Sequence, residues 1–342
     1  MSASLKIVEI LKIKADQFIK TDLLNSYAYE IRNSNPVESA EAADLALKFS
    51  EDQNYLKGKA DALSNLGFFN MHNADHEKAF LLLMEAISLY VLTEDHKGLA
   101  NAQYSLGTVH LRAGDFTHAI DFLHKSLDYR EKTNDKAGMA ACYFQIAYIN
   151  QHFNDLTAAE TNAEKVFRLR EELNDESGMG AALMILGGIY LKRGEFEKAR
   201  ETLKKSLALR EKSKENMGYF ATLLQWAELH KELGEFDVAV SYAEKGLQMA
   251  TEDKVGFGII RFLQMLGNIE LKRKNSAGAK TQLLKALDFA NKQNFKSIQY
   301  ELHQAIVEIY KLEEDYKSAF EHYEKFHTIK EDVISLQSIT HN

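Results

Sequence analysis

The chain has 342 residues, 45% hydrophobic and 27% charged, and its 42 basic and 50 acidic side chains give a formal net charge of −8. This composition excludes a disordered or fibrous chain, and an acidic balance without long blocks of either sign argues against a nucleic-acid binder, which needs a basic stripe to displace counterions. One proline and 18 glycines favour long uninterrupted helices, and the length exceeds one conventional domain, so two domains or a repeat array is expected.

The N-terminal stretch MSASLKIVEILKIKADQFIK reads as one amphipathic helix, charged too often for a secretory core. No stretch reaches the roughly 18 apolar residues of a membrane span. A cytoplasmic protein without membrane contact is therefore expected. Cys142 is the only cysteine, so no intramolecular disulfide can form, and its setting in AACYFQ suits a small core residue. A degenerate helix pair follows the first helix, with Pro36 in the turn after RNSN, and residues 1–57 are expected to cap the array.

From residue 58 the sequence repeats every 40 residues. Alanine stands at 79, 119, 159, 199, 239, 279 and 319, and a small residue at Gly67, Gly107, Ala147, Gly187, Ala227 and Gly267. A third column holds Gly58, Gly98, Gly138, Gly178, Gly218 and Gly258. Each period contains two amphipathic helices, clearest in MGAALMILGGIYLKRGEFEKARETLKKSLALREK, where Leu183, Leu186, Gly187 and Tyr190 share a face and Leu203, Leu207 and Leu209 mark the partner. Gly194 suits the left-handed end of the first helix and Glu195 the positive end of the next. Small residues let the two helices approach, and Phe196 or Phe236 is expected to lie across the crossing. Arg130, Arg170 and Arg210 form a column near helix C-termini, where the macrodipole favours cations and Asp135 or Asp175 can pair with them.

Leu186, Gly187, Tyr190, Phe196, Ala199 and Leu203, and in another copy Leu106, Gly107, Phe116, Ala119 and Leu123, resemble the tetratricopeptide repeat. The proline that closes such repeats is missing, and six residues are added to the 34-residue period, as in spindle-orientation adaptors and bacterial regulators of the Rap type. The resemblance implies an all-α, right-handed superhelical solenoid of antiparallel helix pairs, with seven hairpins over residues 58–326, the degenerate eighth before them and a C-terminal helix. It also places a peptide-binding groove on the first helix of each pair. The positions so implied are Asn65, Phe68 and His72; Asn101, Tyr104, Thr108 and Arg112; Phe144, Gln145, Tyr148 and His152; and Gln225, Glu228, Arg261, Gln264 and Asn268. Amides interleaved with aromatics suit a peptide, since amides bond its backbone while rings take its side chains.

No phosphate-binding loop, dinucleotide fingerprint, zincin motif or nucleophile elbow occurs, so neither enzyme activity nor a cofactor is expected. His72 with His76, and His118 with His124, lack a completing cysteine or carboxylate cluster, and no metal is expected. At the C-terminus, Ala319, Tyr323, Phe326, Ile329, Val333, Leu336 and Ile339 step by threes and fours, so residues 327–342 read as a cap, a dimer helix or the entry to a coiled coil and output domain. The expected function is a non-catalytic scaffold binding a protein or peptide, most concretely the sensory module of a bacterial signalling system. The alternatives are a Rap-like regulator, for which too few residues precede the repeats to build the N-terminal bundle, and an enzyme with a groove active site.

Overall fold

The computed structural model describes residues 5–73, 75–213, 216–293 and 295–339, and every regular element in them is an α-helix. A short helix α1 (Leu5–Lys12) precedes eight antiparallel pairs. The first helices of the pairs are α2 (Gln17–Ile31), α4 (Leu56–His72), α6 (His96–Arg112), α8 (Lys136–His152), α10 (Glu176–Lys192), α12 (Asn216–Glu232), α14 (Gly256–Lys272) and α16 (Lys296–Leu312). Their partners are α3 (Pro36–Asp52), α5 (His76–Leu92), α7 (Phe116–Lys132), α9 (Leu156–Glu172), α11 (Phe196–Ser213), α13 (Phe236–Glu252), α15 (Ser276–Lys292) and α17 (Tyr316–Ile339). The chain divides into two compact units, residues 1–149 and 150–342. No helix among the described residues is long and apolar enough to cross a membrane.

The N-terminal stretch is two helices rather than the expected one. Asp16 accepts a hydrogen bond from the Ile19 N–H (2.8 Å) and so caps α2, which separates it from α1. Pro36 is the first residue of α3, where its missing N–H costs nothing, and Asn35 caps that helix.

Every 40-residue period is built from two halves of 20. At Gly194 φ is +75°, its N–H donates to the Leu191 carbonyl (3.0 Å), and the Glu195 N–H donates to the Tyr190 carbonyl (2.9 Å). This is the Schellman closure of a helix, with its last residue serving at once as cap of the next helix. The same bonds and a positive φ recur at Glu94, Gly114, Asn134, Asn154, Asn174, Gly234, Lys254, Lys274 and Glu314. The residue after the turn is the cap: Asp175 accepts from the Gly178 N–H (2.9 Å), and Asp75, Asp95, Asp115, Asp135 and Asp155 do likewise with the third residue on.

Within a pair, the small column meets a leucine and not the expected phenylalanine. A Cβ on Gly187 would lie 2.5 Å from Leu203 Cγ, and Gly67 and Gly267 face Leu83 and Leu283 in the same way. The alanine column from Ala79 to Ala279 is fully buried. Between pairs, the other glycine column gives room to the preceding helix: a Cβ on Gly138 would sit 1.6 Å from Arg130 Nη1. Arg130 pairs with Asp135 (2.7 Å) and Arg170 with Asp175 (2.9 Å), so these two arginines of the column join their helix ends to the following turns, as their position predicts.

First and second helices are buried unequally. α6 buries nine residues, spread over most of its circumference, while α7 buries a single stripe of Ala119, Leu123, Ser126, Leu127 and Arg130. A first helix is covered by its partner and by neighbouring pairs, which leaves only a narrow strip of it in contact with solvent. α17 continues to Ile339, but its apolar stripe is interrupted: Ala319 is buried, Tyr323 is 48% exposed, and Phe326 and Ile329 are half-buried. The side chains of Val333, Leu336 and Ile339 lie outside the described residues.

Candidate functional site

In the unit of residues 1–149, the first-helix strip carries cations, rings and amides. Arg32, just past α2, stacks its guanidinium 3.7 Å from the Tyr29 ring centroid and 4.5 Å from that of Phe68. Phe68 in turn packs on His72, one turn further along α4, at 4.5 Å between centroids. Arg112 reaches across from the end of α6, donating from Nη1 to the Met71 carbonyl at the end of α4 (2.9 Å). Three basic side chains thus gather where first helices end, with their partial negative charge. Partial burial lowers the His72 pKa, and the Arg112 and Arg32 charges lower it further. Burial also lowers that of Arg112.

Further along the strip, Gln145 Nε2 donates to Tyr104 Oη (3.4 Å), linking α8 to α6 across 41 residues. Burial raises the Tyr104 pKa. Tyr148 is half exposed and Phe144 half-buried. Asn101 Oδ1 accepts from Arg130 Nη2 (2.9 Å), so its carbonyl is engaged within the fold.

Two of the residues placed in the groove by resemblance are packing residues. Asn65, 5% exposed, donates to the Asn25 carbonyl (3.2 Å), and Thr108, 6% exposed, donates to the Tyr104 carbonyl (3.0 Å). Both sit where a first helix faces its neighbour instead of solvent.

In the unit of residues 150–342, Arg261 and Gln264 pair with each other and Glu228 with a residue of its own helix. Arg261 Nη1 donates to Gln264 Oε1 (2.9 Å) and to Glu301 Oε2 (2.7 Å). Glu228 accepts from the buried Lys231 (2.7 and 2.8 Å). Gly188 lies between the amides of Gln151 and Gln225, either of which an added Cβ would press at about 3 Å. His152 is exposed against Phe153, and Asn268 is half-buried. Lys192 donates to the Gln151 carbonyl (2.9 Å), the same end-of-helix contact that Arg112 makes.

Sequence reasoning missed Arg32, although the signal was present: stepping by 40 gives Arg32, His72, Arg112, His152, Lys192 and Lys272, interrupted by Glu232. It also missed a histidine cluster. Among the described residues one group could hold a metal ion, formed by His110, Asp115 and His118. Of the sequence pairs His72 with His76 and His118 with His124, only His118 belongs to this group.

The Tetratricopeptide repeat family profile matches residues 58–132 and 178–252, and that of Anaphase-promoting complex subunit 5 matches residues 104–190. With the paired helices and their small-residue crossings, this decides the family. The chain is a tetratricopeptide-repeat protein. No curated protein matches it in sequence. Its fold is similar to that of a Rap protein solved in complex with competence and sporulation factor (TM-score 0.74, 15% identity, 96% of this chain and 91% of that one). It is similar also to aspartyl phosphate phosphatase F from Bacillus subtilis (0.65, 14%, 94% and 86%). A third likeness is to the Rap conjugation gene regulator of plasmid pLS20 in complex with the Phr* peptide (0.67, 13%, 94% and 97%). Identities this low speak to fold alone.

Proposed function

We propose that the first-helix strip of residues 1–149 binds an acidic peptide or peptide-like segment, and that the protein is a non-catalytic regulatory scaffold of the cytoplasm. The observation that carries this reading is the grouping of Arg32, His72 and Arg112 with Tyr29, Phe68 and Tyr104, to which α8 adds Phe144 and Tyr148 further along the strip. Arg32 is seated on rings and Arg112 on a carbonyl, and their charges disfavour a proton on His72. A carboxylate entering here meets donors already held in place, while the rings take apolar side chains. Structural similarity to Rap proteins bound to a factor and to a peptide supports the same reading at the level of fold. Output would pass through α17, whose Tyr316 and Phe320 face solvent.

Peptide-display selection against the full chain tests this, with a His72→Ala, Tyr148→Ala variant as comparison, since both side chains are exposed and their loss spares the core. Selected peptides should be rich in Asp and Glu and should lose at least about tenfold in affinity on the variant, or about 1.4 kcal/mol. Selection of basic or uncharged peptides, or equal binding to both proteins, would remove the proposal.

A further inference from the structure

His110, Asp115 and His118 converge at the turn between α6 and α7. Asp115 Oδ2 lies 2.9 Å from His110 Nδ1 and 2.6 Å from His118 Nδ1, and the three atoms all fall within 4.8 Å of one another. His110 is 4% exposed and Asp115 7%, while the His118 side chain is half exposed. Aromatic rings fix the His110 imidazole: Phe122 stacks on one side at 5.5 Å, and Phe80 meets it edge-on at 5.8 Å. The His118 ring lies 5.3 Å from it, tilted by 28°.

The repeat itself shows which part of this arrangement is ordinary. The residue pair at 110 and 115 recurs 120 residues later as His230 and Glu235, again joined Nδ1 to carboxylate, and as Glu270 with Asn275. A polar bridge across the turn thus recurs in three of the hairpins. His118 does not recur: the same position in the other repeats holds Lys78, Ala158, Lys198, Val238, Gly278 and Ser318. Among the described residues, this is the hairpin in which a second imidazole faces the bridging carboxylate.

We propose that His110 Nδ1, Asp115 Oδ2 and His118 Nδ1 form a binding site for a divalent first-row transition metal of the Zn2+ class. Two imidazoles and one carboxylate are the donor set such ions take, leaving further positions for water. Tetrahedral bonds of about 2.0–2.1 Å put ligand atoms about 3.3 Å apart. From its present 2.9 and 2.6 Å the Asp115 oxygen withdraws by about 0.4 and 0.7 Å, and the two imidazole nitrogens, now within 4.8 Å of each other, close around the ion. The carboxylate can shift without uncapping α7, because the cap uses the other oxygen, Oδ1, which accepts from the His118 N–H (3.2 Å). Each ring must offer its Nδ1 lone pair and carry its proton on Nε2, so binding weakens as the imidazoles are protonated.

Calorimetric titration of the full chain with Zn2+, paired with visible absorption on Co2+ substitution, tests the site. The wild type should bind one ion per chain at these residues, with a Co2+ spectrum of low coordination number and a Zn2+-dependent rise in melting temperature. His118→Ala should weaken binding at least about tenfold and abolish both signals. Asp115→Asn, which keeps a capping oxygen but loses the charge, should weaken it too. His124→Ala, on an exposed face of the same helix, should leave all three readouts unchanged. Absence of stoichiometric binding in the wild type, or equal binding by His118→Ala, would overturn the proposal and leave the cluster as a turn-locking hydrogen-bond network.

Discussion

Gly246 on α13 is fitted to one neighbour, and the fit yields a sharp prediction. An added Cβ would lie 2.1 Å from Cζ and 2.2 Å from Cε1 of Phe262 on α14, a ring with no exposure. Ordinary carbon contacts are about 3.5–4.0 Å, so the ring would have to move by more than an ångström in a close-packed interior. The corresponding pairs along the array are Ala86 with Ala102, Ser126 with Cys142, Val166 with Ala182, Ser206 with Thr222 and Ala286 with Leu302. The contact survives as Cys142 Sγ to Ser126 Oγ (3.7 Å) and Ser206 Oγ to Thr222 Oγ1 (3.3 Å). The largest residue in one column thus faces the smallest in the other. Gly246→Ala gains about 1 kcal/mol of helix propensity, but overpacking costs about 1–3 kcal/mol and more where the obstacle is a rigid buried ring. The net expectation is a loss of about 1–2 kcal/mol, read as a lower melting temperature and a lower urea midpoint. Phe262→Leu alone should also destabilise, by leaving a void beside the glycine. The double variant Gly246→Ala, Phe262→Leu recreates the Ala286 and Leu302 pair and should recover at least about 1 kcal/mol relative to the sum of the singles. A rise in stability for Gly246→Ala, or additivity of the two changes, would refute the packing argument.

Two further changes probe the turns and the last hairpin. Lys274 holds φ at +63° in a turn that uses glycine at Gly114, Gly194 and Gly234, so Lys274→Gly should stabilise by about 0.5–1 kcal/mol, the relief of a left-handed side chain less the extra freedom of the unfolded chain; thermal melting that shows no gain would contradict it. Burial, then the His322 and Lys325 charges, lowers the His303 pKa to about 4, from 6.5 in the unfolded chain. The unfolded state therefore takes up a proton first as pH falls, and stability tied to this group, complete above pH 6.5, declines down to about pH 4. Urea midpoints across that range should fall less steeply for His303→Gln than for the wild type, and parallel slopes would remove His303 as the cause.

The 40-residue period was legible because small side chains are required wherever two helices touch, and that requirement leaves the same residue types at a fixed spacing. The 20-residue half-period was written just as plainly, in Asp75, Asp95, Asp115, Asp135, Asp155 and Asp175, but a cap is recognised only when both helix ends are placed. Asp16 hid the break between α1 and α2 for the same reason. Positions on the first helices were harder to read. A helix covered on most sides has no polar face to mark what is outside, so Asn65 and Thr108 look like groove residues in sequence and are packing residues in space. The His110 cluster was invisible because its members lie on two helices and a turn, five and three residues apart, while the sequence pairs His72 with His76 and His118 with His124 drew attention to other partners.

The first-helix strip of residues 1–149 is the proposed binding surface. Hydrogen exchange of the full chain, with and without an acidic peptide obtained by selection, measures this most directly. Exchange should slow at the C-terminal turns of α4, α6 and α8, around His72, Arg112 and Tyr148, with α5 and α7 unchanged. Protection confined to α5, α7 or α17 would contradict it and place the surface on the second helices or at the end of the array.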